Sequence, residues 1–189
     1  NTTDDGDIIF KSDNGSGGTT EYFRLDGSVG GGSTVHTVFP DNSKACFGSN
    51  SGGDTLIWHD GTNSYIKQQG GGDLIIQQSA ADKDIILQSD DGSGGETAYL
   101  TLDGSAGHTK ANVELQFLDD VPARFGTGND LTINHSGTNT SISNVTGDLI
   151  FTNSADDKDI IFNCDDGSGG TAEYFRLDGG VTEIIVSPP

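Results

Sequence analysis

Long apolar runs are missing from this 189-residue chain: none exceeds three residues, as in Ile8-Ile9-Phe10 and Ile160-Ile161-Phe162. No segment approaches the roughly 20 apolar residues that a membrane-spanning helix needs. Hydrophobic residues of all kinds reach only 31%. A single copy so thinly supplied struggles to offset a backbone entropy of roughly 1–2 kcal/mol per residue. Basic residues are scarce too, 9 Lys and Arg against 29 Asp and Glu, for a formal net charge of −20. That balance excludes nucleic acid and anionic lipid as partners, because phosphate binding needs clustered cations. The acidity reads instead as solubility over a large exposed surface. Methionine is absent, and cysteine occurs only as Cys46 and Cys164.

What the chain does have is repetition. The stretch DIIFKSDNGSGGTTEYFRLDG from Asp7 returns as DIILQSDDGSGGETAYLTLDG from Asp84 and as DIIFNCDDGSGGTAEYFRLDG from Asp159. Three further blocks occur twice: FPDNSKACFG with FLDDVPARFG, DTLIWHDGTNSYI with DLTINHSGTNTSI, and GDLIIQQSAADKDII with GDLIFTNSADDKDII. The offset between copies shrinks from 78 at Phe39 and Phe117 to 76 at His59 and His135, then 75 at Asp73 and Asp148. Each change falls in a Gly, Ser or Asn stretch, which is where a β-meander tolerates length variation. The two cysteines stand where the other copies carry Arg124 and Ser12 or Ser89. A disulfide framework would repeat its cysteines, so free thiols are expected.

The copies divide the chain into the C-terminal half of a repeat at 1–38, a full repeat at 39–116, a second repeat at 117–180 and a C-terminal tail at 181–189. Because the first copy starts part-way through its unit, the chain is expected to be a piece or processed product of something longer.

Short β-rich clusters, Leu56–Trp58, Tyr65–Ile66, Leu74–Ile76, Ile85–Leu87 and Tyr99–Leu102, alternate with DGTN, GGG, SAAD and SDDGSGG turn chemistry. No window holds helical periodicity. The expected fold is all-β, a repetitive short-strand fibrous architecture. Alternation in EYFRLDG sets Phe23 and Leu25 on one face and Tyr22 and Arg24 on the other. Arg24 and Arg176 become Thr101 in the middle copy, which suggests an exposed, tolerant side. Units of this kind stack either as a single-chain β-solenoid or as an intertwined homotrimeric β-helix or β-prism fibre. The low apolar content favours the shared core of the trimer.

Candidate sites are few. The SDDGSGG loops offer Asp90, Asp91, Asp165 and Asp166 as hard oxygen ligands for calcium. They lack the distal bidentate Glu of a helix–loop–helix site, and Asp91 corresponds to Asn14, so the turn reading leads and no cofactor is expected. GSGG lacks the Lys-Ser/Thr of a phosphate loop. His59 and His135 are equivalent and could converge on a metal around a three-fold axis, against the simpler reading of a hydrogen-bonded turn histidine. His36 and His108 lie in the variable connector. The paired carboxylates Asp4-Asp5, Asp119-Asp120 and Asp156-Asp157 sit in turns and make no nucleophile–base constellation, so no enzyme is expected. Trp58 and Tyr65, replaced by Asn134 and Ser141 in the other copy, are the candidates for stacking on a glycan.

The strings FGTGNDLTINHSGTNTSISNVTGDLIF (Phe125–Phe151), LIWHDGTNSYI (Leu56–Ile66) and the SDDGSGG…EYFRLDG phrases resemble repeats of tail-fibre and related virion structural proteins of marine bacteriophages. The resemblance covers nearly the whole chain. It implies a homotrimeric, β-structured virion appendage that associates with itself and with other virion proteins. It also implies contact with a host surface glycan or outer-membrane receptor. At Asn134 and Ser136 the second copy departs from the common phrase, which carries an aromatic and Asp there. Rival readings are a bacterial cell-surface adhesin or filament, a capsid decoration fibre and a calcium-dependent solenoid.

Overall fold

The computed structural model describes residues 1–28, 34–49 and 51–186. Its described residues hold fifteen strands and no helix, grouped as five antiparallel three-stranded sheets in which spatial order follows chain order. None of these sheets closes into a barrel. Residues 187–189 of the expected tail lie outside the described residues.

The sheets come in two alternating kinds. The first is built on a long hairpin: β1 (Ile8–Asp13), β2 (Thr19–Asp26) and β3 (His36–Val38). The second is smaller: β4 (Ala45–Phe47), β5 (Thr55–His59) and β6 (Ser64–Gln68). The long form returns as β7 (Ile85–Asp90), β8 (Glu96–Asp103) and β9 (His108–Ala111), and the small form as β10 (Ala123–Phe125), β11 (Leu131–His135) and β12 (Thr140–Asn144). A third long sheet follows, β13 (Ile160–Asp165), β14 (Thr171–Asp178) and β15 (Glu183–Val186). Contacts divide the chain into two units, Asn1–Leu87 with Thr101–Lys110, and Gln88–Leu100 with Ala111–Pro189. Sheets β1–β3 and β4–β6 belong to the first, and β10–β12 and β13–β15 to the second.

Repeated sequence yields repeated register. Ile8 pairs with Leu25 and Phe10 with Phe23, and likewise Ile160 with Leu177 and Phe162 with Phe175. The facing rings stack, with centroids 4.4 Å apart in the first hairpin and 4.3 Å in the third. Immediately beyond each stack the register slips by one residue, leaving Tyr22 and Tyr174 unpaired in a bulge. Their hydroxyls donate back to the carbonyls of Asp13 (3.0 Å) and Asp165 (2.9 Å), as that of Tyr99 does to Asp90 (2.9 Å).

The bulge corrects the alternation reading of this face. Strict alternation would put Glu21 and Arg24 on opposite sides. The extra residue returns Glu21 to the side of Arg24, and their ion pair is 3.0 Å long. Arg24 also reaches Asp26 at 2.9 Å, and Arg176 repeats both contacts with Glu173 and Asp178 at 3.1 Å. This side is not an exposed, tolerant one. In the middle copy Thr101 and Asp103 are each only 8% exposed. There Ala98 stands where the other hairpins have Glu, and Lys110 of β9 forms the ion pair with Asp103 in place of the missing arginine. The Lys110 ammonium, the Ala106 N–H and the Ser105 hydroxyl hold the Asp103 carboxyl far below the usual carboxylate range.

A second departure concerns Leu74–Ile76. The apolar triplet suggests a strand, yet residues 73–79 belong to none. The other clusters lie in β5, β6, β7 and β8 as expected. Core is nearly absent: among the described residues Leu56, 3% exposed, is the one buried hydrophobic side chain. The chain exposes 14564 Å². A compact protein of this 19.6 kDa mass would expose about 8,600 Å², and even two separate globules of half the mass would expose only about 10,000 Å².

Candidate functional site

Trp58 of β5 and Tyr65 of β6 are direct cross-strand partners. Their rings lie nearly parallel, 13° apart in orientation with centroids separated by 4.5 Å. The Lys44 ammonium stands over the Trp58 ring, 4.9 Å from its centroid. A ring stacked this closely leaves no room for an ammonium on the shared side, so the cation covers the opposite face. Both broad faces of Trp58 are therefore occupied by the chain's own groups. Tyr65 is the more open member, 37% exposed. Its hydroxyl donates to Asp60 Oδ2 at 2.8 Å. Asp60 Oδ1 accepts the N–H groups of Asn63 (2.8 Å) and Thr62 (2.9 Å) in the tight turn between the strands. These donors, with Asn63 foremost, hold the Asp60 carboxyl below its ordinary value, and the hydrogen bond to Asp60 raises the Tyr65 hydroxyl above its own.

An open groove of about 570 Å³ lies close by, between the start of β2 and the 40–44 loop that leads into β4, with Glu21, Tyr22, Asp41, Ser43 and Lys44 along it. The Ser43 hydroxyl ties this loop to the Tyr22 carbonyl. Lys44 thus belongs to both the groove and the aromatic stack. Such a mixture of an aromatic edge, carboxylates and one cation suits hydrogen bonding to sugar hydroxyls at a wet surface. In the second small sheet the stack is lost, since Asn134 faces Ser141.

The calcium candidates serve as turn pins. Asp91 Oδ1 accepts N–H bonds from Ser93 (2.7 Å) and Gly95 (3.1 Å), and Asp166 Oδ1 accepts them from Ser168 (2.7 Å) and Gly170 (3.1 Å). Those N–H groups lower both carboxyls below the ordinary carboxylate range. Asn14 Oδ1 makes the same pair of bonds with Ser16 and Gly18 at 2.8 and 3.1 Å, so a neutral amide builds this turn as well. Asp90 and Asp165 each accept one further N–H, from Gly92 and Gly167. Among the described residues no group of three or more His, Cys, Asp or Glu is placed to hold a metal ion.

His59 Nδ1 lies 3.2 Å from Ser64 Oγ, and His135 Nδ1 lies 3.0 Å from Thr140 Oγ1, each across its own hairpin. His36 sits in β3 and His108 in β9. Cys46 and Cys164 are free and exposed.

One recurrent arrangement escaped the sequence reading. Asp7, Asp84 and Asp159 each accept, through Oδ1, the N–H of a glycine twenty residues on: Gly27 (2.9 Å), Gly104 (2.9 Å) and Gly179 (3.0 Å). The signal was present, since both positions are identical in all three copies. It closes each long hairpin. No family model, curated protein or solved structure matches this chain.

Proposed function

We propose that the chain is a segment of a virion fibre, a homotrimeric, repeat-built spacer that holds weak receptor-contacting surfaces away from the particle. The observation that carries this reading is the apolar face left open on each long sheet. Phe10 is 45% exposed despite its stack, Phe162 is 43% exposed, and Leu25, Leu102 and Leu177 are all exposed alongside them. On each long sheet, side chains of this kind make an apolar stripe that water does not favour. Equivalent chains in register would cover every copy of the stripe at once. The need for more than one chain rests on this surface; the number three and the viral setting rest on the resemblance of the repeats.

A fibre gains length by copying one unit, and each copy is stabilised by its equivalents on the other chains. Several weak contacts per fibre then act together through effective concentration. Tyr65, the edge of Trp58 and the adjoining groove are the surfaces this reading assigns to a host glycan. It assigns the chain no catalytic step and no cofactor.

Immunogold electron microscopy tests the setting, with antibody raised against the purified segment and applied to virus particles and cells of the source. Gold along thin particle appendages is the expected result. Gold confined to cell envelopes would replace the virion reading with a cellular filament, and gold on the capsid shell would replace it with a decoration fibre.

A further inference from the structure

Residues 73–79 (DLIIQQS) and 148–154 (DLIFTNS) carry strand-forming side chains but lie in no strand. Every residue of both stretches is exposed, Ile75 by 77% and Ile150 by 75%. Among the described residues, no backbone N–H or C=O within either stretch bonds to backbone elsewhere. Their few polar contacts are local side-chain ones, such as Gln78 accepting the Ala80 N–H and Asn153 accepting that of Ala155. A chain with three consecutive large apolar residues and a free row of peptide groups is a template for pairing with another strand.

We propose that these two stretches are inter-chain strands, each pairing backbone to backbone with another copy of this chain. Three observations select a second copy as the occupant. The feature occurs twice, 75 residues apart, each time just before a long hairpin. A partner must therefore repeat as well, and a copy in register supplies both matches together. Each stretch carries a single carboxylate, Asp73 or Asp148, and no Lys, Arg or Pro, so two acidic chains meet here at a nearly neutral strip. Finally, the exposed area exceeds that of two separate half-mass globules by roughly 4,000 Å² per chain, more than the roughly 1,000–2,500 Å² that each partner gives to one obligate interface and enough for more than one neighbouring copy. Alternate side chains, Leu74 with Ile76 and Leu149 with Phe151, would face one side of the shared sheet, while Ile75 and Ile150 face the other.

This inference rests on the assembly reading above, and hydrogen exchange separates the two. Exchange is followed by mass spectrometry on the intact protein, with its native mass measured at the same concentration. The expected result is an assembled protein whose amides at 74–77 and 149–152 exchange at least about a hundredfold more slowly than unprotected peptide. Unprotected amides in an assembled protein overturn the inter-chain strands and leave the assembly standing. Unprotected amides in a single chain overturn both. Slow exchange in a single chain places the partner within the same chain and overturns the inference.

Discussion

Replacing Phe162 with aspartate is expected to take the protein apart into single chains, with assembly weakened at least about a thousandfold. Within one chain the change is mild. Phe162 stacks on Phe175 at 4.3 Å but remains 43% exposed, so the loss is one aromatic pair of about 0.5–1.5 kcal/mol beyond the area it covers, and the new carboxylate stays in water. In an assembly that covers the stripe, the same carboxylate must leave water with no partner. That costs several kcal/mol for every chain that contributes one. The control is written in the chain itself, because Leu87 occupies the equivalent position in the middle hairpin. Phe162→Leu should keep the native mass, and Phe162→Asp should fall to that of one chain by light scattering. Equal masses for the two variants would mean that this face is not an interface.

Gly104→Ala should destabilise the fold by about 2–4 kcal/mol. A Cβ at this position would stand 2.3 Å from the Lys83 carbonyl oxygen. The obstacle is backbone, and it is pinned, since Asp84 next in sequence holds the Gly104 N–H at 2.9 Å. The chain cannot make room without opening the end of the hairpin. The same contact occurs at Gly27 with the Gly6 carbonyl and at Gly179 with that of Lys158, at 2.5 and 2.4 Å, so each variant should show a similar loss. Gly71→Ala meets no atom within 4 Å and serves as the neutral comparison. Thermal melting at one concentration reads the difference. A Gly104→Ala melt that overlays Gly71→Ala would mean the close approach does not constrain this hairpin.

The all-β character and the long-hairpin register were legible because the repeat displays the same apolar positions three times against invariant turn residues. Phe23 and Leu25 do share the apolar face with Phe10 and Ile8. The bulge at Tyr22 was not legible, since a two-residue period carries no mark for the one extra residue that moves Glu21 beside Arg24. The exchange of arginine for Lys110 was hidden for a related reason. The replacement cation comes from a neighbouring strand, and alignment of the hairpins alone compares only Arg24, Thr101 and Arg176. Leu74–Ile76 failed differently. β-propensity describes what a segment can do when it finds a partner, and among the described residues of this chain it pairs with none. At the candidate site, Trp58 and Tyr65 were legible as a pair by their positions flanking the DGTN turn, but not the Lys44 ammonium, which the loop before β4 delivers to the ring.

Sedimentation of the unmodified protein, giving mass and frictional ratio together, tests the account most directly. The account predicts a species of three times the 19.6 kDa chain mass with an extended frictional ratio, unchanged when divalent cations are chelated. A compact particle of one chain mass would contradict it.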